Sequence, residues 1–261
     1  MNEVSALERR RIAVTRPVAQ AARLVDALRG VGAVPLSCPT IRIADPPDPA
    51  PLRRAVECLE EYDWVVFTSA NGVERFWREV ESQSRPGLPG ATRLAAIGPA
   101  TAEALEMRGV SPEVVPDEYV AEAVADALIA VGGLAGRRLL LPRAAGARRV
   151  LPERLSAAGA QVDEVIAYES KPDLEGIARL KAAVEADEVD MVTFTAASTV
   201  RHFVETAGTE LGTARVAVIG PITARAARKA GLRVDTEARE YTVEGLLQAI
   251  LEYYSDLQER G

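Results

Sequence analysis

Apolar runs of strand length alternate with Ala-rich amphipathic stretches of helix length along the whole chain, which predicts an α/β protein with mostly parallel sheets. The strand candidates are "RIAVT", "AVPLSC", "WVVFTS", "RLAAIG", "EVVP", "RLLLP", "QVDEVIAY", "MVTFT", "RVAVIG" and "RVDT". They fit two five-stranded sheets.

The pattern is written twice. "IAVTRPVAQAARLVDALRGVGA" aligns with "LLLPRAAGARRVLPERLSAAGA", placing Arg16 on Arg143. At the same spacing "WVVFTSANGVERFWREV" aligns with "MVTFTAASTVRHFVETA", Phe67 on Phe194 and Thr68 on Thr195. "AIGPATAEAL" and "VIGPITARAA" match at a slightly shorter spacing, Gly98 on Gly220 and Thr101 on Thr223. Right-handed βαβ crossovers then predict open, doubly wound sheets with helices on both faces. "SCPTIRIADPPDPAP" and "VIAYESKPDLEG" occupy matching places, and their prolines favour extended chain, so they are expected to form a paired linker between domains.

Composition narrows the chemistry. A chain of 261 residues that is 48% hydrophobic supports one large or two moderate cores. Its apolar runs fall short of the roughly 20 residues that span a bilayer, and the N-terminus lacks a signal-like apolar region, so a cytoplasmic, membrane-free protein is expected. A net charge of −7 without a long basic arm argues against nonspecific nucleic-acid binding. Cys38 and Cys58 have no metal-ligand spacing and read as packing residues. The single histidine, His202, excludes multi-histidine metal sites and reads as a helix-surface residue.

In open parallel sheets ligands bind beyond the strand carboxyl ends, where helix N-termini offer unpaired amides. The polar clusters fall there: Arg16 after "IAVT", Thr68, Ser69, Asn71 and Gly72 after "WVVF", and Arg143 after "LLLP". Thr195, Ser198 and Thr199 follow "MVTF", and Thr101 and Thr223 follow the Gly-Pro corners. Each Ser, Thr or Asn can equally be a helix cap, each Gly-Pro pair a sharp turn into a first-turn proline, and each arginine a solvated strand end. Neither GxGxxG nor GxxxxGK[ST] is present, so the amides are expected to hold something other than a pyrophosphate. Tyr168 aligns with Ile41 and breaks the duplication with a phenol, which can pack at an interface or donate a proton.

In their order, "VTRP", "VVFTSANGV", "AIGPATAEAL", "VIAYES", "VTFTAASTVRHF", "VAVIGPITARAARKAG" and "EYTVEGLLQAI" closely resemble the uroporphyrinogen-III synthase family over nearly the whole chain. The second copy departs at Ala196, where the family commonly carries serine, so no hydroxyl contact is assigned there. The resemblance implies two flavodoxin-like doubly wound parallel-sheet domains joined by a two-stranded β linker. Residues 1–36 plus 174–261 would form one domain, 45–164 the other, and 37–44 with 165–173 the linker. It further implies a cofactor- and metal-independent monomer that cyclises hydroxymethylbilane to uroporphyrinogen III, losing water and inverting ring D, in haem, sirohaem or cobalamin biosynthesis. Tyr168 would assist departure of the hydroxyl. Arg16, Thr68, Ser69, Asn71, Gly72, Thr101, Arg143, Thr195, Ser198, Thr199 and Thr223 would bind substrate in a cleft that closes by hinge motion. Two other readings compete: a non-catalytic binder of a tetrapyrrole or small anion, and a regulatory protein. The 11 residues "LEYYSDLQERG" after "TVEGLLQAI" are short for a DNA-binding domain.

Overall fold

The computed structural model describes residues 6–260, the Arg260 side chain excepted. The chain divides into two compact units, Met1–Arg42 with Lys171–Gly261 (unit 1) and Ile43–Ser170 (unit 2). It begins in unit 1 with β1 (Arg11–Val14), α1 (Val18–Gly30) and β2 (Val34–Ser37). Then come β3 (Ile41–Ala44), α2 (Ala50–Glu57), β4 (Trp64–Phe67), α3 (Ala70–Ser82), β5 (Arg93–Ala96) and α4 (Pro99–Glu106). Unit 2 closes with α5 (Ala121–Val131), β6 (Arg138–Ala144), α6 (Val150–Ala157) and β7 (Gln161–Pro172). The return to unit 1 runs through α7 (Leu174–Glu185), β8 (Met191–Phe194), α8 (Ala197–Ala207), β9 (Arg215–Val218), α9 (Pro221–Lys229), β10 (Thr236–Glu237) and α10 (Val243–Arg260).

The sheet of unit 1 has the order β10-β9-β8-β1-β2 and its strand pairs are parallel. Counted along that unit this is the 2-1-3-4-5 order of a doubly wound sheet, whose switch point lies between β1 and β8. The sheet of unit 2 has the order β3-β7-β6-β4-β5. Its β4–β5, β4–β6 and β6–β7 pairs are parallel, and β6 and β4 correspond to β1 and β8.

Helices on both faces bury the central strands completely, which is why "WVVF" and "MVTF" read as continuous apolar runs. Val73, Phe76, Trp77 and Val80 recur at helical spacing and form the buried face of α3, with Phe76 edge-on to Phe67 at 5.3 Å. The same pair recurs in unit 1, Phe203 of α8 against Phe194 at 5.8 Å.

One expectation needs correction. "EVVP" makes only a single bridge, Ala95 to Val114, because Pro112 and Pro116 flank it and cannot donate to a ladder. The fifth strand of that sheet is β3, from the segment expected to be linker. β3 lies beside β7, which runs from Gln161 to Pro172, so the two segments are neighbours at the edge of this sheet.

Candidate functional site

The sharpest chemical cluster in unit 2 forms where β4 meets α3. Ser69 is the extended N-cap of α3, and its Oγ accepts the Gly72 amide at 3.0 Å. That oxygen also lies 2.9 Å from the Tyr168 hydroxyl, and the Asn71 side chain hydrogen-bonds the same phenol. A β-bulge aims Tyr168 at this spot. The register steps from Arg143 opposite Ile166 to Ala144 opposite Tyr168, and the extra residue reverses the side-chain alternation at the end of β7. Gly72 is required by close approach, since a Cβ there would sit 3.0 Å from the Pro142 carbonyl oxygen.

Tyr168 is only 7% exposed, and burial raises its pKa. Hydrogen bonds from Ser69 and Asn71 and the nearby Arg143 charge act in the opposite direction, favouring the phenolate. The phenol is thus protonated at neutral pH, and an anion formed on it is met by two hydrogen-bond donors and a cation. Burial outweighs these contacts, so the net effect is to hold the phenol protonated.

Arg143 itself is turned inward. It is 4% exposed, forms an ion pair with Glu164 and donates from Nη2 to the Arg148 carbonyl at 2.5 Å. Burial lowers its pKa, with Glu164 working against the shift. Its terminal nitrogens are already engaged within the unit.

Arg16, its counterpart, sits half-buried at the carboxyl end of β1. Burial and the Arg23 charge lower its pKa, and it has no carboxylate partner among the described residues. On the neighbouring strand, Thr195 and Ser198 are half-exposed beyond β8, at the switch point. Thr199 is buried and donates from Oγ1 to the Ala196 carbonyl at 2.7 Å. Ala196 is the N-cap of α8 and offers no side-chain cap. Thr68 is half-exposed at the end of β4.

Thr101 and Thr223 are not caps. The N-caps of α4 and α9 are Gly98 and Gly220, followed by proline at the first helical position. The threonines lie in the first turns, 3% and 4% exposed. The glycines are needed because tyrosine rings lie against them: a Cβ would be 2.9 Å from the Tyr119 ring at Gly98 and 2.8 Å from the Tyr241 ring at Gly220. Tyr119 and Tyr241 occupy equivalent places in "EYVAEA" and "EYTVEG", a repeated signal that the motifs alone did not disclose.

The structure thus joins Ser69, Asn71, Gly72 and Tyr168 in one hydrogen-bonded cluster and sets Arg16 beside the Thr195–Thr199 turn. Among the described residues no group of three or more His, Cys, Asp and Glu side chains is placed to hold a metal, and no helix is long and apolar enough to cross a membrane.

Two doubly wound units, with ligand-type groups at the strand carboxyl ends and a buried phenol hydrogen-bonded to a helix cap, define a double α/β protein of enzyme type. A family model described as uroporphyrinogen-III synthase HemD matches residues 22–248. The chain is 32% identical over 248 residues to the uroporphyrinogen-III synthase of Synechococcus elongatus, covering 92% of this chain and 93% of that one. It is 34% identical over 251 residues to the putative uroporphyrinogen-III synthase of Methanothermobacter thermautotrophicus, covering 92% and 96%. The chain belongs to the uroporphyrinogen-III synthase family. Among solved structures, a mutant uroporphyrinogen III synthase from the extremely thermophilic bacterium Thermus thermophilus superposes with a TM-score of 0.65 at 22% identity, covering 95% of this chain and 99% of that one. The uroporphyrinogen-III synthetase of Helicobacter pylori gives 0.59 at 18%, covering 93% and 99%. At these identities both speak for the fold alone.

Proposed function

We propose that this chain cyclises hydroxymethylbilane to uroporphyrinogen III, with Tyr168 as the proton donor to the departing hydroxyl. The observation that carries the residue assignment is the Tyr168 hydroxyl 2.9 Å from Ser69 Oγ. Either hydroxyl can donate in this contact, and with Ser69 as the donor the phenol proton is available to substrate.

The chemistry balances. The phenol protonates the ring A hydroxyl, which leaves as water, and the bilane becomes an azafulvenium cation paired with the phenolate. Ring D attacks through its substituted carbon to give a spiro intermediate, which reopens and closes in the inverted sense. The proton lost from the pyrrole carbon at closure restores the phenol. Left alone in water the same bilane closes without inversion, so the protein must control which carbon attacks, largely by holding the chain in shape.

The carboxylates of the acetate and propionate side chains are held, in this reading, by Arg16 and by the polar groups at Thr68, Ser69, Asn71, Thr195 and Ser198, while Gly72, Thr101, Thr199 and Thr223, buried in the first helical turns, bear on binding through the shape of those turns. Arg143 serves by its charge beside Tyr168. The protein is taken to act as a cytoplasmic monomer on this small molecule, without cofactor, nucleic acid or membrane.

Supplying hydroxymethylbilane and separating the product isomers tests the reaction, because a mere binder yields only the uninverted ring. Tyr168→Phe, checked for folding, is expected to lower kcat about 100-fold, within the range of a lost general acid. Turnover within a fewfold of the parent would sink the role.

A further inference from the structure

Three threonines in unit 1 are fully buried at the carboxyl end of the sheet: Thr15, Thr40 and Thr193, each 0% exposed. The Thr193 hydroxyl donates to the Ala13 carbonyl at 2.9 Å, and the Thr15 hydroxyl to the Thr193 carbonyl at 2.7 Å. The Thr40 amide donates to the Thr15 carbonyl at 3.0 Å, and its hydroxyl to the Thr199 carbonyl at 2.9 Å. Hydroxyls and one amide therefore tie the end of β1, the end of β8 and the first turn of α8 to the segment on which the chain leaves unit 1.

That segment is seated firmly. Arg179 of α7 donates to the Ser37 carbonyl at 3.0 Å, and the Asp173 amide donates to the Thr40 carbonyl at 3.1 Å. The Pro39 carbonyl oxygen passes so close to Gly176 that a Cβ there would lie 2.0 Å from it.

The fold does not need these hydroxyls. At the duplicated positions unit 2 carries Pro142 for Thr15, Ala167 for Thr40 and Val66 for Thr193, and all three are buried. The corresponding strands of unit 2 form with apolar groups at these places. What the threonines add is specific to unit 1, and the turns they join are those bearing Arg16 and Ser198.

We propose that Thr40 is a positioning residue for substrate binding: its amide and hydroxyl hold the Arg16 turn and the first turn of α8 at one fixed spacing. The proposal rests on the reading that these turns bind bilane carboxylates. Charge-assisted contacts to a flexible polyanion depend on such spacing, and an ångström of slack is costly.

The test uses the full chain with hydroxymethylbilane. Thr40→Val keeps the shape and removes the donor, and it is expected to raise KM about tenfold with kcat changed less than about threefold, the pattern of lost binding. Thr40→Ser restores the donor and is expected to bring KM back to within about threefold of the parent. A folded Thr40→Val with parental KM overturns the proposal, as does a Thr40→Ser equally impaired. Should Thr40→Val not fold, Thr15→Val carries the test: a KM rise supports the proposal and an unchanged KM overturns it. A parent that yields only the uninverted ring overturns the family reading, and the proposal with it.

Discussion

Arg16 and Arg143 stand at equivalent places in the two copies, yet their surroundings have diverged. Arg143 is buried, ion-paired with Glu164 and bonded to the Arg148 carbonyl, whereas Arg16 has no acidic partner among the described residues. Around them the difference widens. Unit 2 has Tyr168, Ser69 and Asn71 where unit 1 has Ile41, Ala196 and Ser198, and unit 1 has three buried threonines where unit 2 has Pro142, Ala167 and Val66. The repeated layout has two different surroundings: unit 2 carries the hydrogen-bonded phenol, and unit 1 has an arginine without an acidic partner among the described residues beside the threonine-tied turns. Duplication makes each unit the internal control for the other.

Of the two arginines, Arg143 is expected to show the larger effects. Replacement by methionine strands Glu164 and removes the cation beside Tyr168, so both Tm and kcat should fall, kcat by about tenfold or more. Arg16→Met leaves no acid behind, and a similar Tm with a KM for bilane raised about tenfold is expected, the worth of one charge-assisted contact. Thermal melts with steady-state kinetics on both variants decide this. If Arg16→Met melts as early as Arg143→Met, or Arg143→Met changes only KM, the division of labour is wrong.

Helix caps offer a smaller contrast. Ser69→Ala removes the cap of α3 and the hydrogen bond to Tyr168 together, so about 1 kcal/mol of stability should go along with a several-fold fall in kcat. Ala196→Ser supplies a cap where α8 has none and is expected to raise Tm by about 3 °C. Denaturant and thermal melts read the stabilities, and steady-state kinetics read the fall in kcat. A serine at 196 that fails to stabilise would mean the extended N-cap geometry there does not admit the bond.

Much of this was legible in the sequence because it depends on period and repetition. Fully buried parallel strands leave continuous apolar runs, and the duplicated "WVVF" and "MVTF" place the polar turns after them. The ring-against-glycine packing of Tyr119 and Tyr241 was harder to see, since nothing in the spelling of a Gly-Pro corner says what lies against its Cα. Thr101 and Thr223 could be taken for caps because a threonine near a helix start usually is one, and here glycine holds the cap position instead. Tyr168 was conspicuous as a break in the repeat, but the bulge that aims it arises from one extra residue in a strand ladder, invisible to side-chain alternation. Thr40 carried the same signal as Tyr168, a polar residue facing an apolar twin. A linker threonine nonetheless looks solvated until its neighbours are known.

The smallest effect concerns what the two copies have kept in common at the amino ends of their sheets. Asp190 accepts the Arg11 amide at 2.6 Å, and Asp63 accepts the equivalent Arg138 amide at 2.8 Å. Burial works to raise the Asp190 carboxyl, but hydrogen bonds from the Arg11 amide and guanidinium outweigh it and hold its pKa below the ordinary value. The Asp63 carboxyl is lowered chiefly by the Arg138 amide and also by Arg137. A carboxyl depressed in the folded state stabilises above its unfolded pKa, near 4, and that contribution is lost as pH falls through the lower folded value. Tm should therefore be insensitive to these groups above about pH 5 and decline below about pH 4. Asp63→Asn and Asp190→Asn should each flatten part of that decline, by similar amounts, because the clamp is the same in both units. A flattening confined to one variant would show that the copies have diverged here as well, and that the likeness of the two backbone clamps does not extend to their energetics.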